Sequence, residues 1–345
     1  VLFRATVVLG LLVVSVPIAT EWTPPQRGWL YVLDSNDGGE KSEVLLVNPA
    51  DGKVHGRIKT GYDPDIALSA DGTRLFLIHD SDFFVIDTAS AQVVRTTHVP
   101  NLERYIMQPG FTRPVLLNED TVAYVAVQLP RHDGCREGVA AVEIESGHLF
   151  ESNPDLPDCF GWQFLRNGNE LVLVGGSSDE IHIVDGVGDR GFSQTFFRAN
   201  TGRLDHAGAI PFKDTLVLAS ADGRLTYVDL RTRQVTRSVT DLPRVNLKVG
   251  SLVSAGGKLF LAAGETKGGG FLNQILILDA ASGKLLGSIH SDQLLWWNLT
   301  PSADGARLYA PTKERSVAVF DTESMRQIQT IPNMGRSPGR VLVVP

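Results

Sequence analysis

SADGARLYA at 302–310 and SADGTRLFL at 69–77 are one nine-residue phrase written twice, 233 positions apart. Its chemistry is that of a tight hairpin: the Asp caps the turn, the Gly takes positive φ, and the apolar run that follows alternates as a strand does. Related turns stand at SAGG (254–257) and RNGN (166–169). After each comes a strand-like run: RLFLIHD at 74–80, ELVLVGG at 170–176, KLFLAAG at 258–264 and RLYAPTK at 307–313. WLYVLD (29–34), TVAYVAV (121–127) and TLVLASA (215–221) have the same flavour.

A second phrase follows each of these runs, an apolar stretch ending in an acid or amide before a turn. It reads VLLVN (44–48), FFVID (83–87), VAAVE (139–143), IHIVD (181–185), LTYVD (225–229), ILILD (275–279) and VAVFD (317–321). From Asn48 to Asp321 the six intervals cover 273 residues, a mean of about 45, which is the period of a four-stranded propeller blade. The expected fold is therefore all-β: a seven-bladed β-propeller of four-stranded antiparallel blades, with Arg27–Pro345 supplying the residues that seven units need. The first unit opens on its second strand, at Trp29, and the tail GRSPGRVLVVP repeats the pattern of GYDPDIALS at 61–69. The C-terminal strand, Arg340 to Val344, is thus expected to join the first blade and close the ring, leaving no long open edge. Six blades with an irregular insertion is the competing count, because the third unit is long and poorly patterned.

Composition sets the class. With 43% hydrophobic and 21% charged residues the chain reads as globular, and no linker divides it. Residues 1–19 hold one early cation, Arg4, and an apolar run from Val7 to Ile18 that suits a secretory signal and is too short to span a bilayer comfortably. The expected division is a signal peptide over 1–19, a short arm over 20–28 and the propeller over 29–345, with a periplasmic or secreted location. Pro17 sits where a cut after Ala19 prefers a small side chain, so a retained anchor is the alternative. The net charge of −7, with no basic stripe between aromatics, argues against nucleic acid and anionic membrane.

The ligand face of a propeller is built by loops entering each inner strand and by hairpins between second and third strands. Those inter-blade loops are expected at 61–65, 102–110, 155–162, 201–206, 242–250, 291–298 and 335–339. They carry the candidate binding set: Tyr62, Asp63, Arg104, Tyr105, Trp162, Asp205, His206, Arg244, Trp296, Trp297 and Arg336. Asp205–His206 has acid–base chemistry, but sequence neighbours on a strand face opposite ways, which favours a structural histidine. Trp296–Trp297 reads as blade packing or interface. His79-Asp80-Ser81-Asp82 and His132–Asp133 lie in hairpins where such side chains normally serve the backbone, so no metal site is assigned. Gly268–Gly270 lies between strands and lacks the helix that a phosphate cradle requires. No G-x-S-x-G or H-E-x-x-H motif occurs, and no catalytic residue is assigned. Cys135 falls in the long hairpin of the third blade and Cys159 in the loop leaving it, so one disulfide is expected; closing that loop would contribute about 3 kcal/mol.

The repeated strands, the SADG hairpins and the h-D-x-x-S-G-K turns resemble the YVTN class of seven-bladed propellers. More narrowly, YVLD (31–34), Leu-Pro-Asp-Cys (156–159), LILDAASGKLL (276–286) and VFDTES (319–324) are similar to the heavy chain of methylamine and aromatic amine dehydrogenases. That resemblance implies a non-catalytic propeller subunit with no cofactor of its own. Its partners would be a small disulfide-rich light chain bearing tryptophan tryptophylquinone and a periplasmic electron carrier. The chain departs from the family in its short N-terminal extension and in the first-blade hairpin, Ser35-Asn36-Asp37-Gly38-Gly39, which carries no aromatic. A stand-alone binding module for a peptide, cell-wall component or small ligand is the alternative. A propeller lactonase is a third, which needs a metal or carboxylate cluster that the sequence does not assemble.

Overall fold

The computed structural model describes residues 18–20, 22–35, 42–61, 65–79, 81–99, 115–117, 120–129, 136–151, 163–174, 180–188, 191–198, 208–212, 214–220, 223–240, 242, 252–264, 272–296 and 298–345. These form seven antiparallel sheets, and no helix occurs among the described residues. From the axis outward blade 2 runs Asp65–Leu68, Arg74–His79, Asp82–Asp87 and Gln92–His98. Blade 3 runs Val115–Leu117, Val122–Leu129, Arg136–Glu143 and Leu149–Glu151. Blade 4 has Gln163–Asn167, Glu170–Val174, Glu180–Gly188 and Gly191–Arg198, and blade 5 has Gly208–Phe212, Thr215–Ser220, Arg224–Asp229 and Gln234–Val239. Blade 6 has Leu252–Ala255, Lys258–Ala263, Leu272–Asp279 and Leu285–Leu295, and blade 7 has Thr300–Pro301, Arg307–Pro311, Val317–Asp321 and Arg326–Ile331.

Blade 1 closes the ring. The C-terminal strand Pro338–Val343 lies beside Leu30–Asp34, with Leu30 opposite Val343 and Val32 opposite Val341; Ser42–Asn48 and Lys53–Gly61 complete the blade. The closing strand starts two residues before the expected Arg340, because a bulge at Leu33/Asp34 lets Pro338 join the ladder. The chain also adds a fifth strand to this blade: Ile18–Thr20 pairs with Arg57–Lys59 on its outer edge, within the stretch read as leader and arm. Next to it Trp22 donates through Nε1 to the carbonyl of Thr88 on blade 2, at 3.1 Å. Its ring occupies the space above Gly56, where a Cβ would stand 2.5 Å from it.

Alternation along each strand sends successive side chains to opposite neighbours, and the core divides into seven clusters, one per seam. Tyr31, Leu33, Val44 and Leu46 pack with Leu75, Leu77, Phe84 and Ile86 of blade 2, whereas Leu30, Val32, Leu45 and Val47 pack with Tyr309, Val317, Val319 and Ile331 of blade 7. Residues near both ends of the chain therefore share a dry interface. Each fully buried side chain of this size contributes roughly 1.5–3 kcal/mol, so a seam of about ten outweighs any single polar contact discussed below.

The quoted phrases build the lower face. At Ser69-Ala70-Asp71-Gly72 the Asp71 carboxylate accepts from Ser69 Oγ (2.7 Å) and from Thr73 N (3.0 Å), while Gly72 sits at φ +73°. At Ser302-Ala303-Asp304-Gly305 the same acceptor takes Ser302 Oγ (2.6 Å) and Ala306 N (3.0 Å), with Gly305 at φ +69°. In both blades the threonine of the next turn donates to the carbonyl of that glycine: Thr88 Oγ1 to Gly72 at 2.9 Å, Thr322 Oγ1 to Gly305 at 2.8 Å. The D-x-x-S turns are equally uniform. Asp87, Asp279 and Asp321 each accept from the amide and the hydroxyl of the serine three residues on, at 2.6–2.8 Å.

Candidate functional site

At the upper face, where inner strands begin, the hairpin of blade 7 is braced from both sides. The outer strand of blade 6 continues to Leu295, through part of the stretch 291–298 expected as loop, because Leu295 bridges to Thr312 at the end of the second strand of blade 7. Trp296 N donates to Pro311 O (2.8 Å) and Lys313 N to Leu294 O (2.9 Å), fastening the crossing chain to the hairpin Thr312–Ser316. From the other side Met334 N donates to Arg315 O at 2.9 Å. Inside the hairpin Thr312 Oγ1 and Ser316 Oγ share a 2.7 Å hydrogen bond, and Ser316 Oγ reaches Gln293 Oε1 at 3.2 Å. Arg315 is held at φ +61° and Asn333 at +62°, backbone conformations that cost a side-chain-bearing residue energy and persist only where the surroundings fix them.

On this clamp stand Trp296, half-buried, with the Lys313 ammonium 5.0 Å from its ring centroid, and the exposed Arg315 and Arg336. Neither arginine is in an ion pair among the described residues. Arg336 follows Gly335, whose φ of +92° and lack of Cβ let the Asp34 carboxylate approach: a Cβ there would lie 2.2 Å from Asp34 Cγ. Asp34, buried at the end of its strand, accepts from Arg336 N (3.0 Å) and Ser337 N (2.7 Å). One carboxylate thus holds the turn that presents Arg336.

Side chains also stitch inner strand to inner strand. Arg340 donates through Nη1 to the Asp65 carboxylate on blade 2, both groups buried, and Thr300 Oγ1 donates to Val341 O at 2.8 Å. Gln163 Oε1 accepts from Ala209 N at 2.8 Å between blades 4 and 5. At the lower mouth, near Ile66, Leu68, Pro301 and Leu342, lies a cavity of about 400 Å³ with mainly apolar walls.

Two acid–histidine pairs occupy upper positions. On blade 4 the His182 ring is buried, stacks on Phe196 at 5.6 Å and lies 3.4 Å from Glu180 Oε2. Burial pushes the imidazole below its usual range more than Glu180 raises it, so His182 is neutral at neutral pH. On blade 2 Asp82 does not serve the turn backbone as its sequence position suggests. Its Oδ1 is 2.9 Å from Nδ1 of the exposed His98.

Of the residues expected at the ligand face, Trp296 and Arg336 come together on opposite sides of one hairpin. Tyr62, Asp63, Arg104, Tyr105, Trp162, Asp205, His206, Arg244 and Trp297 lie outside the described residues, as do Cys135, Cys159, His132, Asp133 and Gly268–Gly270. Sequence reading missed Lys313 and Arg315, having weighed inter-blade loops and not the blade 7 hairpin. It also missed Asp34 and Arg340, whose signal is a charge inside an otherwise apolar strand. Among the described side chains, no group of three metal-ligating residues has converged.

No family model and no curated protein matches the chain. Among solved structures, dihydro-heme d1 dehydrogenase NirN in complex with DHE is similar at TM-score 0.60 and 13% identity over 90% of this chain and 67% of that one. A chain of the mitotic checkpoint complex is similar at TM-score 0.56 and 13% identity, over 78% of this chain and 76% of that one. At such identity the likeness is one of fold: this chain is a seven-bladed β-propeller.

Proposed function

We propose that the protein is a non-catalytic binding propeller whose upper face, at the junction of blades 6, 7 and 1, takes an acidic segment of a partner protein. The observation that carries this reading is the clamped hairpin with Trp296 beside it, where Lys313, Arg315 and Arg336 outnumber the hairpin's one acid, Glu314, whose Oε1 accepts from Leu294 N at 3.3 Å: a net-cationic sector in a chain of net charge −7. Clamping lowers the ordering cost of binding, and local positive charge in an acidic protein steers an anionic partner to one place. The test is binding of a labelled deca-glutamate peptide beside a deca-lysine peptide. Wild type should prefer the glutamate peptide, lose affinity as salt rises, and lose at least about tenfold in the Arg315→Ala/Arg336→Ala double variant. Equal binding of both peptides, or an unchanged double variant, would sink the reading.

The second reading is the docking subunit of a periplasmic quinoprotein amine dehydrogenase. It draws on the YVLD, LILDAASGKLL and VFDTES phrases and on the use of a similar propeller in NirN, itself described as a dehydrogenase. It requires a small disulfide-rich partner chain bearing the quinone and an electron carrier. Co-purification from the native host of a chain with visible quinone absorbance supports it; a propeller recovered alone, with no amine-dependent dye reduction in the same extract, speaks against it.

A further inference from the structure

The lower face repeats from blade to blade except at one place. Blades 2 to 7 turn there from first strand to second through a short connection, but blade 1 takes its first strand from Pro338–Val343 and its second from Leu30–Asp34, so no hairpin joins them. The cavity of about 400 Å³ lies at this gap, between Pro301 and Ala303 of blade 7, Leu342 of the closing strand, and Ile66 and Leu68 of blade 2. Pro345 completes its edge and is set against the blade 2 hairpin, where a Cβ on Gly72 would stand 2.6 Å from the proline ring.

The walls carry backbone groups as well as aliphatic side chains. Along an antiparallel ladder alternate residues direct both N–H and C=O to the partner strand, and the residues between direct theirs away. Ser69 N bonds to Arg74 O, Ser302 N to Arg307 O and Val344 N to Trp29 O, so these three face their second strands. One residue earlier, Leu68, Pro301 and Val343 turn their backbone groups the other way, toward the channel, and all three line the cavity. The same alternation holds deeper in the strands: Ile66 N bonds to the Asp65 carboxylate, Ile66 O accepts from Arg340 and Val341 O accepts from Thr300 Oγ1. The cavity thus presents three carbonyls and two N–H groups, proline having none. Among the described residues no charged side chain lines it.

We propose that this cavity binds a small uncharged amide carrying an aliphatic group. An ion entering it would lose hydration without meeting a counter-charge, and a hydrocarbon would leave the backbone groups unmatched. An amide offers donor and acceptor together and answers both kinds of group on the wall. The volume equals that of about a dozen waters at roughly 30 Å³ each and falls at the lower end of small-molecule pockets, about 300–1,000 Å³. N-acetyl-leucinamide has this character: an aliphatic branch, two carbonyls and three N–H bonds on about twelve non-hydrogen atoms. The site is independent of the acidic-partner reading, since it lies on the opposite face and takes a neutral ligand.

The experiment titrates the full-length protein with N-acetyl-leucinamide, read by saturation-transfer NMR and by calorimetry. A ligand of about twelve non-hydrogen atoms should bind with a Kd of about 1 mM, one per chain, and with no dependence on salt. N-acetyl-leucine, which differs in bearing a carboxylate, should bind at least about tenfold more weakly. Ala303→Trp, at an exposed position on the cavity edge, should fill the mouth and weaken binding by at least about tenfold, and Leu342→Ala, which removes part of the half-buried wall, by about fivefold. Val94→Thr, on the exposed outer strand of blade 2, should leave it unchanged. Absence of saturable binding up to about 10 mM, equal binding of N-acetyl-leucine, or unchanged binding by both Ala303→Trp and Leu342→Ala overturns the proposal. Thermal melts of each variant separate loss of the cavity from loss of the fold.

Discussion

Removing Asp65 tests how the ring is locked. Arg340 belongs to the closing strand and Asp65 to the inner strand of blade 2, 275 positions earlier, and their side chains are 2% and 6% exposed. Among the described residues, Asp65→Ala leaves the buried guanidinium with no carboxylate and a single long 3.4 Å contact from Nη1 to Ile66 O. Breaking one partner of a buried pair costs about 3–5 kcal/mol. With an unfolding entropy of about 2.1 cal/mol/K per residue, a ring of this size shows that loss as a melting shift of about 5–8 °C downward. Replacing both ions by apolar groups, Asp65→Leu with Arg340→Met, removes the desolvation cost together with the attraction and should return most of the loss. Calorimetric melts of wild type, both single variants and the double variant complete the cycle. The reasoning is refuted if Asp65→Ala melts within about 1 °C of wild type, or if the double variant is less stable than either single one.

Two further outcomes follow from the lower face. Gly283 and Arg233 hold the same position of the D-x-x-S/T turn, at φ +73° and +59°, yet substitution should act in opposite directions. Gly283→Ala adds a Cβ 2.9 Å from Val239 and 3.0 Å from the Tyr227 hydroxyl and should cost about 2 kcal/mol, whereas Arg233→Gly relieves left-handed strain and should be neutral or stabilising by about 1 kcal/mol, both read from urea midpoints. Acid should destabilise the fold through the turn carboxylates. Hydrogen bonds from Ser69 and Thr73 hold Asp71 at about 2, and serine hydrogen bonds lower Asp87, Asp279, Asp304 and Asp321. A carboxyl depressed in the folded state stabilises above its ordinary value of 3.8 and loses that contribution as pH falls through the folded value. The urea midpoint should therefore be level from about pH 7 to 5 and decline between about 4 and 2; a midpoint unchanged at pH 3 would contradict the turn assignment.

The architecture was legible because its information is local and repeated. Each SADG or D-x-x-S turn satisfies its own backbone, so four or five residues suffice to announce it, and the two-residue alternation of the apolar runs states which seam each side chain fills. Even ring closure was readable, since the tail repeats the pattern of a complete blade. The binding sector was only half legible. Trp296 and Arg336 stand out as an aromatic and a cation in loops, but Lys313 and Arg315 join them through pairing between Leu295 and Thr312, a contact no local pattern encodes. Asp34 and Arg340 were missed for a related reason: a charge within an apolar strand looks like noise until its partner, hundreds of residues away, is known. His98 gave no signal at all, because its place opposite Asp82 exists only in the strand register.

The division of labour between faces explains where chemistry can reside. On the lower face the connections within blades span two to five residues and reuse the same carboxylate–hydroxyl devices. On the upper face the inter-blade connections run from three residues, between Gly61 and Asp65, to sixteen, between His98 and Val115. These turns have little freedom to vary, since Gly72, Gly147, Gly283 and Gly305 are each left-handed and closely approached by a neighbouring segment. Variable loops carry no such burden: the seams hold the blades whatever the loops contain. Function is therefore expected where the scaffold stops repeating, and the clamped hairpin of blade 7, with Trp296, Lys313, Arg315 and Arg336 around it, lies on that face.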